Sequence, residues 1–116
     1  MVEPSGSIGI GVDPRLTTIS AGDTAIINIT LVSTENFDDI AYVYLTTEGI
    51  DPMYEANMTW FNWTSRYVSV PAGSTVKVPL NVSIPEGESG YKMFYVYLES
   101  KKWTTTAMDT GVLYIT

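Results

Sequence analysis

Tyr91-Lys92-Met93-Phe94-Tyr95-Val96-Tyr97-Leu98-Glu99-Ser100 is the stretch from which the rest of the chain can be read. An extended strand sends successive side chains to opposite faces. One face of this stretch therefore receives Phe94, Val96 and Leu98, and the other Tyr91, Met93, Tyr95 and Tyr97. Residues 40–47 repeat the division, with Ala41, Val43 and Leu45 opposed to Ile40, Tyr42 and Tyr44. So do residues 112–116, with Leu113 and Ile115 opposed to Val112 and Tyr114. Three strands that sort aliphatic residues from tyrosines predict one sheet with a buried aliphatic face and a tyrosine-rich outer face.

Working outward from these three, the remaining segments alternate in the same way. Residues 7–12 put Ile8, Ile10 and Val12 on one side, and residues 16–19 extend that segment beyond Asp13-Pro14-Arg15. Residues 24–33 form a long strand with Ala25, Ile27, Ile29 and Leu31 inward. Residues 75–84 give the cleanest alternation, with Val76, Val78, Leu80, Val82 and Ile84 inward. Pro79 lies in that strand without an N–H to donate, so it belongs on an unpaired edge or at a bulge. Residues 60–70 read as one or two crossing strands, and residues 103–116 as a last strand interrupted near Asp109–Gly111. Ala21-Gly22-Asp23-Thr24 and Ala72-Gly73-Ser74-Thr75 each open a long strand and read as equivalent turns. No window carries helical apolar spacing. About seven strands with regular turns predict an all-β, two-sheet antiparallel β-sandwich of immunoglobulin type over residues 7–116, with residues 1–6 as a frayed linker.

Composition narrows the function. The 116 residues suffice for one core; 45% are hydrophobic and 16% charged. A net charge of −7 with six basic residues argues against nucleic acid, whose phosphates require clustered Lys and Arg. With no His and no Cys, the usual general bases, thiol nucleophiles, disulfides and thiolate metal sites are unavailable. No glycine-rich phosphate loop occurs. A carboxylate pair for glycoside hydrolysis needs a cleft that a small sandwich rarely provides. No enzyme activity and no cofactor are expected. No apolar run is long enough to span a bilayer, so direct membrane insertion is not expected either. The opening Met1-Val2-Glu3-Pro4-Ser5-Gly6 reads as the start of an excised module, so the lack of a leader weighs little.

The quoted strands then resemble a known module. Ala21-Gly22-Asp23-Thr24 followed by Ile26-Ile27-Asn28-Ile29-Thr30-Leu31, then Asn36-Phe37-Asp38-Asp39, is similar to the opening strands of immunoglobulin-like modules from archaeal and bacterial cell-surface proteins. Trp60, the run from Val68 to Pro85, and Gly90-Tyr91 extend the resemblance over roughly residues 16–100. The pattern also resembles that of the small sandwich appended to some α-galactosidases. Residues 48–59 stand out as an acidic insertion. The resemblance implies a non-catalytic spacer, adhesion or ancillary binding domain in an extracellular setting, with neighbouring domains or other surface proteins as partners. It carries over no catalytic residue.

Three sets of residues are candidates for that role. Asn28, Asn57, Asn62 and Asn81 each begin an Asn-x-Ser/Thr sequon. Four of the five asparagines do so, where composition alone would give about one. Thr-rich strands generate sequons by chance, but Asn28 and Asn81 fall on outward faces, where a glycan must sit. Tyr42, Tyr44, Tyr95, Tyr97 and Tyr114 could form one partner surface. The plainer reading is cross-strand pairing that only stabilises the sheet. Trp60, Trp63 and Trp103 could stack on sugars, making glycans an alternative partner, although Trp60 and Trp63 would point oppositely on an extended strand and one of these two is expected between the sheets. The acidic groups Glu35/Asp38/Asp39, Glu48/Asp51/Glu55 and Glu86/Glu88 lack calcium-loop spacing and read as solvated loop carboxylates.

Overall fold

A computed structural model describes residues 3–103 and 105–116. Eight strands follow one another: β1 (Ile8–Asp13), β2 (Leu16–Ile19), β3 (Thr24–Ser33), β4 (Asp39–Thr46), β5 (Ser65–Val70), β6 (Thr75–Ser83), β7 (Gly90–Ser100) and β8 (Thr106–Ile115). They form a three-stranded sheet in the order β1-β3-β6 and a five-stranded sheet in the order β2-β8-β7-β4-β5. Helical structure among the described residues is confined to 3₁₀ turns at Pro52–Tyr54 and Met58–Trp60.

The three strands singled out first, β4, β7 and β8, lie side by side in the larger sheet, in antiparallel register with Val43 opposite Leu98 and Tyr91 opposite Tyr114. Their aliphatic face packs inward. Ala41, Val43, Phe94, Val96, Leu98 and Leu113 are fully buried, against Ile27, Ile29, Leu31, Leu80 and Val82 from the other sheet. Burying each such side chain contributes about 1.5–3 kcal/mol, and the inner faces of two sheets are where a chain without disulfides can gather that many. Antiparallel pairing has one exception, since β2 runs parallel to β8. The chain thus does not resume β1 after Arg15, as its pattern suggests, but crosses to the opposite sheet.

β6 pairs only with β3, so Pro79 sits on a sheet edge, where its missing N–H costs no ladder bond. The two Ala-Gly turns match closely. Asp23 N–H donates to Ser20 O at 3.0 Å and Ser74 N–H to Pro71 O at 3.1 Å, with Gly22 and Gly73 at positive φ.

Three expectations need correction. β8 is continuous through Asp109–Gly111. The glycine is there because it lies opposite Phe94, and any Cβ on it would clash with the outer edge of the Phe94 ring. Residues 60–64 are not a strand; they close the side of the sandwich, with Trp60 and Phe61 buried and Phe61 against Phe94 at 4.8 Å. Of the expected frayed linker at residues 1–6, residues 1 and 2 lie outside the described residues, and residues 3–6 are tied to the body of the sandwich. Ser5 N–H donates to Asn36 Oδ1, Asn36 Nδ2 to Glu3 O, and Thr34 N–H to Ser7 O, at 2.8–3.0 Å.

Candidate functional site

The five-stranded sheet carries its tyrosines outward. Register places Tyr67 of β5 opposite Tyr42 of β4, and Tyr44 opposite Tyr97 of β7. The rings run in an unbroken row: Tyr67–Tyr42 at 5.0 Å, Tyr42–Tyr44 at 5.5 Å, Tyr44–Tyr97 stacked at 5.4 Å, and Tyr97–Tyr95 edge-on at 6.2 Å. Tyr42, Tyr44, Tyr95 and Tyr97 are half-buried by one another, whereas Tyr67 is 63% exposed. Burial, together with Glu99, neighbouring phenols and Glu48, raises the Tyr44 hydroxyl above its ordinary value, so it stays a neutral donor throughout the physiological range. Lys101 lies over the Tyr67 ring at 5.9 Å. Tyr114 does not join the row. It pairs with Tyr91 at 4.6 Å, four positions along β7 from Tyr95. Tyr67 was outside the expected set, although its place on the exposed phase of a Ser-x-Tyr-x-Ser strand is visible in the sequence.

The outer face of the three-stranded sheet is dressed differently. Asn28 lies opposite Pro79 and Asn81 opposite Ile26, so the two asparagines are diagonal neighbours on β3 and β6. Asn62 adjoins them: its Oδ1 accepts from Asn81 N–H at 2.8 Å, and its own N–H donates to Asn81 O at 3.0 Å. Asn28 and Asn81 therefore share this face, and Asn62 lies along its β6 edge. Asn57 stands apart, capping the Met58–Trp60 turn through its Oδ1. In all four the Nδ2 atom, which would carry a glycan, makes no hydrogen bond within the described protein. Asn36, which begins no sequon, has its Nδ2 engaged with Glu3 O.

The three tryptophans do not make a platform. Trp60 is in the core. Trp63 is partly buried against the core, donates Nε1–H to Pro79 O at 2.9 Å and lies beneath the Arg66 guanidinium. Trp103 meets Phe37 edge-on at 5.7 Å beside the β7–β8 hairpin.

Two of the acidic residues expected in solvent are instead buried. Glu35 is 1% exposed and Asp39 3% exposed. Asp39 accepts from the Ser100 hydroxyl, from Ile40 N–H at 2.7 Å and from Lys102 N–H at 3.1 Å. Burial works to raise its carboxyl, but these donors outweigh it and hold Asp39 below the usual range. Neither Glu35 oxygen receives a donor from elsewhere in the described protein. Burial first, and then the neighbouring Asp39, push Glu35 up to about 7, so near neutrality about half of the molecules carry it protonated. The signal was in the phase: Leu31, Ser33 and Glu35 continue the inward face of β3, and Asp39 begins that of β4. Among the described residues no three carboxylates group so as to hold a metal ion, and no helix is long and apolar enough to cross a membrane.

Such a pair of sheets, with nearly all strands antiparallel and no helical layer, defines an immunoglobulin-like β-sandwich domain. Solved structures agree at the level of the fold. The chain is similar to the apo form of the Calx CBD1 domain, at 12% identity with a TM-score of 0.62, covering 94% of this chain and 97% of that one. It is similar to the CARDB domain of the PF1109 protein from Pyrococcus furiosus, solved in complex with di-metal ions, at 10% identity and TM-score 0.52, covering 97% and 94%. It is also similar to part of a family 123 glycoside hydrolase from Clostridium perfringens, at 9% identity and TM-score 0.60, covering 98% of this chain but 27% of the enzyme. No family model and no curated protein matches the sequence.

Proposed function

We propose that this chain is a non-catalytic structural and adhesion module of an archaeal cell-surface protein, glycosylated on one sheet and presenting the tyrosine row of the other to a neighbouring domain or surface protein. The observation that carries the reading is the division of labour between the two outer faces. Sequon asparagines with free Nδ2 atoms occupy the β1-β3-β6 side, and an unbroken aromatic row occupies the β4-β7 side. Tyrosine suits such a surface because it offers a large, stiff apolar ring with a polar tip. The decisive experiment is secretion of the chain from an archaeal host, followed by mass spectrometry of the peptides containing Asn28, Asn57, Asn62 and Asn81. Glycan on Asn28, Asn62 and Asn81 is the expected result. Secreted protein with all four asparagines bare overturns the reading.

A second reading, an ancillary domain of a secreted hydrolase, is supported by the likeness to about a quarter of a glycoside hydrolase. Binding of the chain to the substrate glycan of a flanking enzyme, lost in Trp103→Ala, would favour it over the first.

A further inference from the structure

The two sheets have four edges, and three are protected. β6 carries Pro79, and Asn62 and Trp63 hydrogen-bond along its open side. β1 is tied to β8, because Asp109 accepts from Val12 N–H at 2.9 Å. β2 is four residues long. The fourth edge, β5, is six residues without proline, bulge or covering segment among the described residues.

Its hydrogen-bonding phase follows from the register with β4. Leu45 N–H donates to Thr64 O at 2.8 Å, and the antiparallel pairing continues as Val43 with Arg66, Ala41 with Val68 and Asp39 with Val70. In an antiparallel ladder alternate residues turn both backbone groups to the same neighbour. The N–H and C=O groups of Ser65, Tyr67 and Ser69 therefore point away from β4, and none has a partner within the described protein. A row of unpaired groups of this kind is a template for another strand.

The strand is also self-complementary. Ser65, Tyr67 and Ser69, which share the exposed face, read the same in both directions about Tyr67. We propose that the occupant of this edge is β5 of a second copy of the chain, antiparallel across a two-fold axis through Tyr67. Ser65 then faces the partner's Ser69, Tyr67 faces its own counterpart, and six backbone hydrogen bonds close at the outward groups of the two strands. The only charge on the strand, Arg66, faces the partner's Val68, so no like charges are directly opposed. The two five-stranded sheets become one of ten strands, and the aromatic row runs unbroken from one copy into the other. The proposal stands independently of where the chain resides and of its glycans.

The test is sedimentation velocity over a concentration series, joined to cysteine cross-linking in a chain that has no native cysteine. Reversible dimerisation is expected. Tyr67→Pro removes an N–H that β4 does not use, and should weaken the dimer at least about tenfold while leaving the circular dichroism of the monomer unchanged. In Tyr67→Cys, the two-fold pair brings Cα atoms to about 5.5 Å, within disulfide reach, so oxidation should link the dimer. In Ser69→Cys the equivalent atoms are about 14 Å apart along the strand, and no link should form. A chain that stays monomeric at every concentration overturns the proposal, even if a peptide from another protein binds the edge. So does a dimer that cross-links at residue 69 as readily as at 67.

Discussion

At the scale of single residues, the most consequential group is Glu35. Its carboxyl is raised from 4.5 to about 7 by burial and by Asp39, whereas in the unfolded chain it ionises near the lower value. Between these values the folded state holds more protons than the unfolded one, so this group makes stability fall as pH rises from 4.5 to about 7, with no further loss above. At about 1.4 kcal/mol per pH unit of displacement, the loss is of order 3 kcal/mol. Glu35→Gln carries no proton to lose. Denaturant titrations at a series of pH values should find the decline across this window absent in the variant, which should be the more stable protein at pH 8. Asp39 has the opposite sign: its depressed carboxyl contributes stability above its unfolded value of 3.8, lost as pH falls below it. Gly111 gives a steric counterpart. Gly111→Ala forces a methyl against the edge of the Phe94 ring and should cost about 1–3 kcal/mol, read as a lower Tm. Both residues mark the limit of reading charge and residue type alone. The inward phase of Glu35 was legible, but its acid character suggested solvent; Gly111 suggested a break in the strand, where it makes room for a ring contributed by its neighbour in the sheet.

At the scale of elements, the sequence predicts the strands closely where the inner face is an unbroken run of alternating apolar residues, as in Ile27–Ile29–Leu31 and Val78–Leu80–Val82, and less well in β8, where Asp109 and Gly111 take inward positions. It predicts the connections poorly, because a loop's path is decided by whatever surface the folded strands leave open. Residues 47–64 illustrate this. Where β4 ends, Ala56 N–H donates to Met93 O at 3.0 Å, and further on Phe61 bridges to Val82 of the opposite sheet. Residues 48–59, which looked like an acidic insertion, thus form a side wall together with the segment that follows, in which Trp60 and Phe61 are buried. The link between β1 and β8 is similarly invisible in sequence, since Asp109 lies 97 positions from the Val12 N–H it receives. Burial works to raise the Asp109 carboxyl, but the amides of Val12 and Thr110 and the Arg15 guanidinium hold it below the usual range. Asp109→Ala leaves the Val12 N–H without its partner and should destabilise by about 1–3 kcal/mol, with faster amide exchange concentrated in β1. Arg15→Ala should cost less than about 1 kcal/mol, because the Arg15 side chain is 71% exposed where it meets Asp109 at 3.1 Å.

At the scale of the whole molecule, the two outer faces can be separated by experiment. Which residues face outward was legible from period-two alternation. Which of them meet was not, because the order of strands in a sheet is set by chain crossings rather than by local pattern; Tyr114 fell to the Tyr91 end, and Tyr67 joined the row through β5. Half-burial of the central phenols means that part of the row's role is to hold its own sheet together. Tyr44 touches both Tyr42 and Tyr97, so Tyr44→Ala should cost about 1–2 kcal/mol of folding stability, whereas the more exposed Tyr67 should cost far less on replacement by Ser. Mild iodination offers the matching readout at the surface. In protein dilute enough to be monomeric, Tyr67 and Tyr91, 63% and 53% exposed, should react well before Tyr44 and Tyr97, which are covered by their neighbours. If the glycans project from the β1-β3-β6 face, on the far side of the sandwich, this order and its rates should be the same in glycosylated and bare protein. Protection of Tyr67 by the attached sugars would instead put glycan and aromatic row on a common face, contrary to the division of roles proposed for the two sheets.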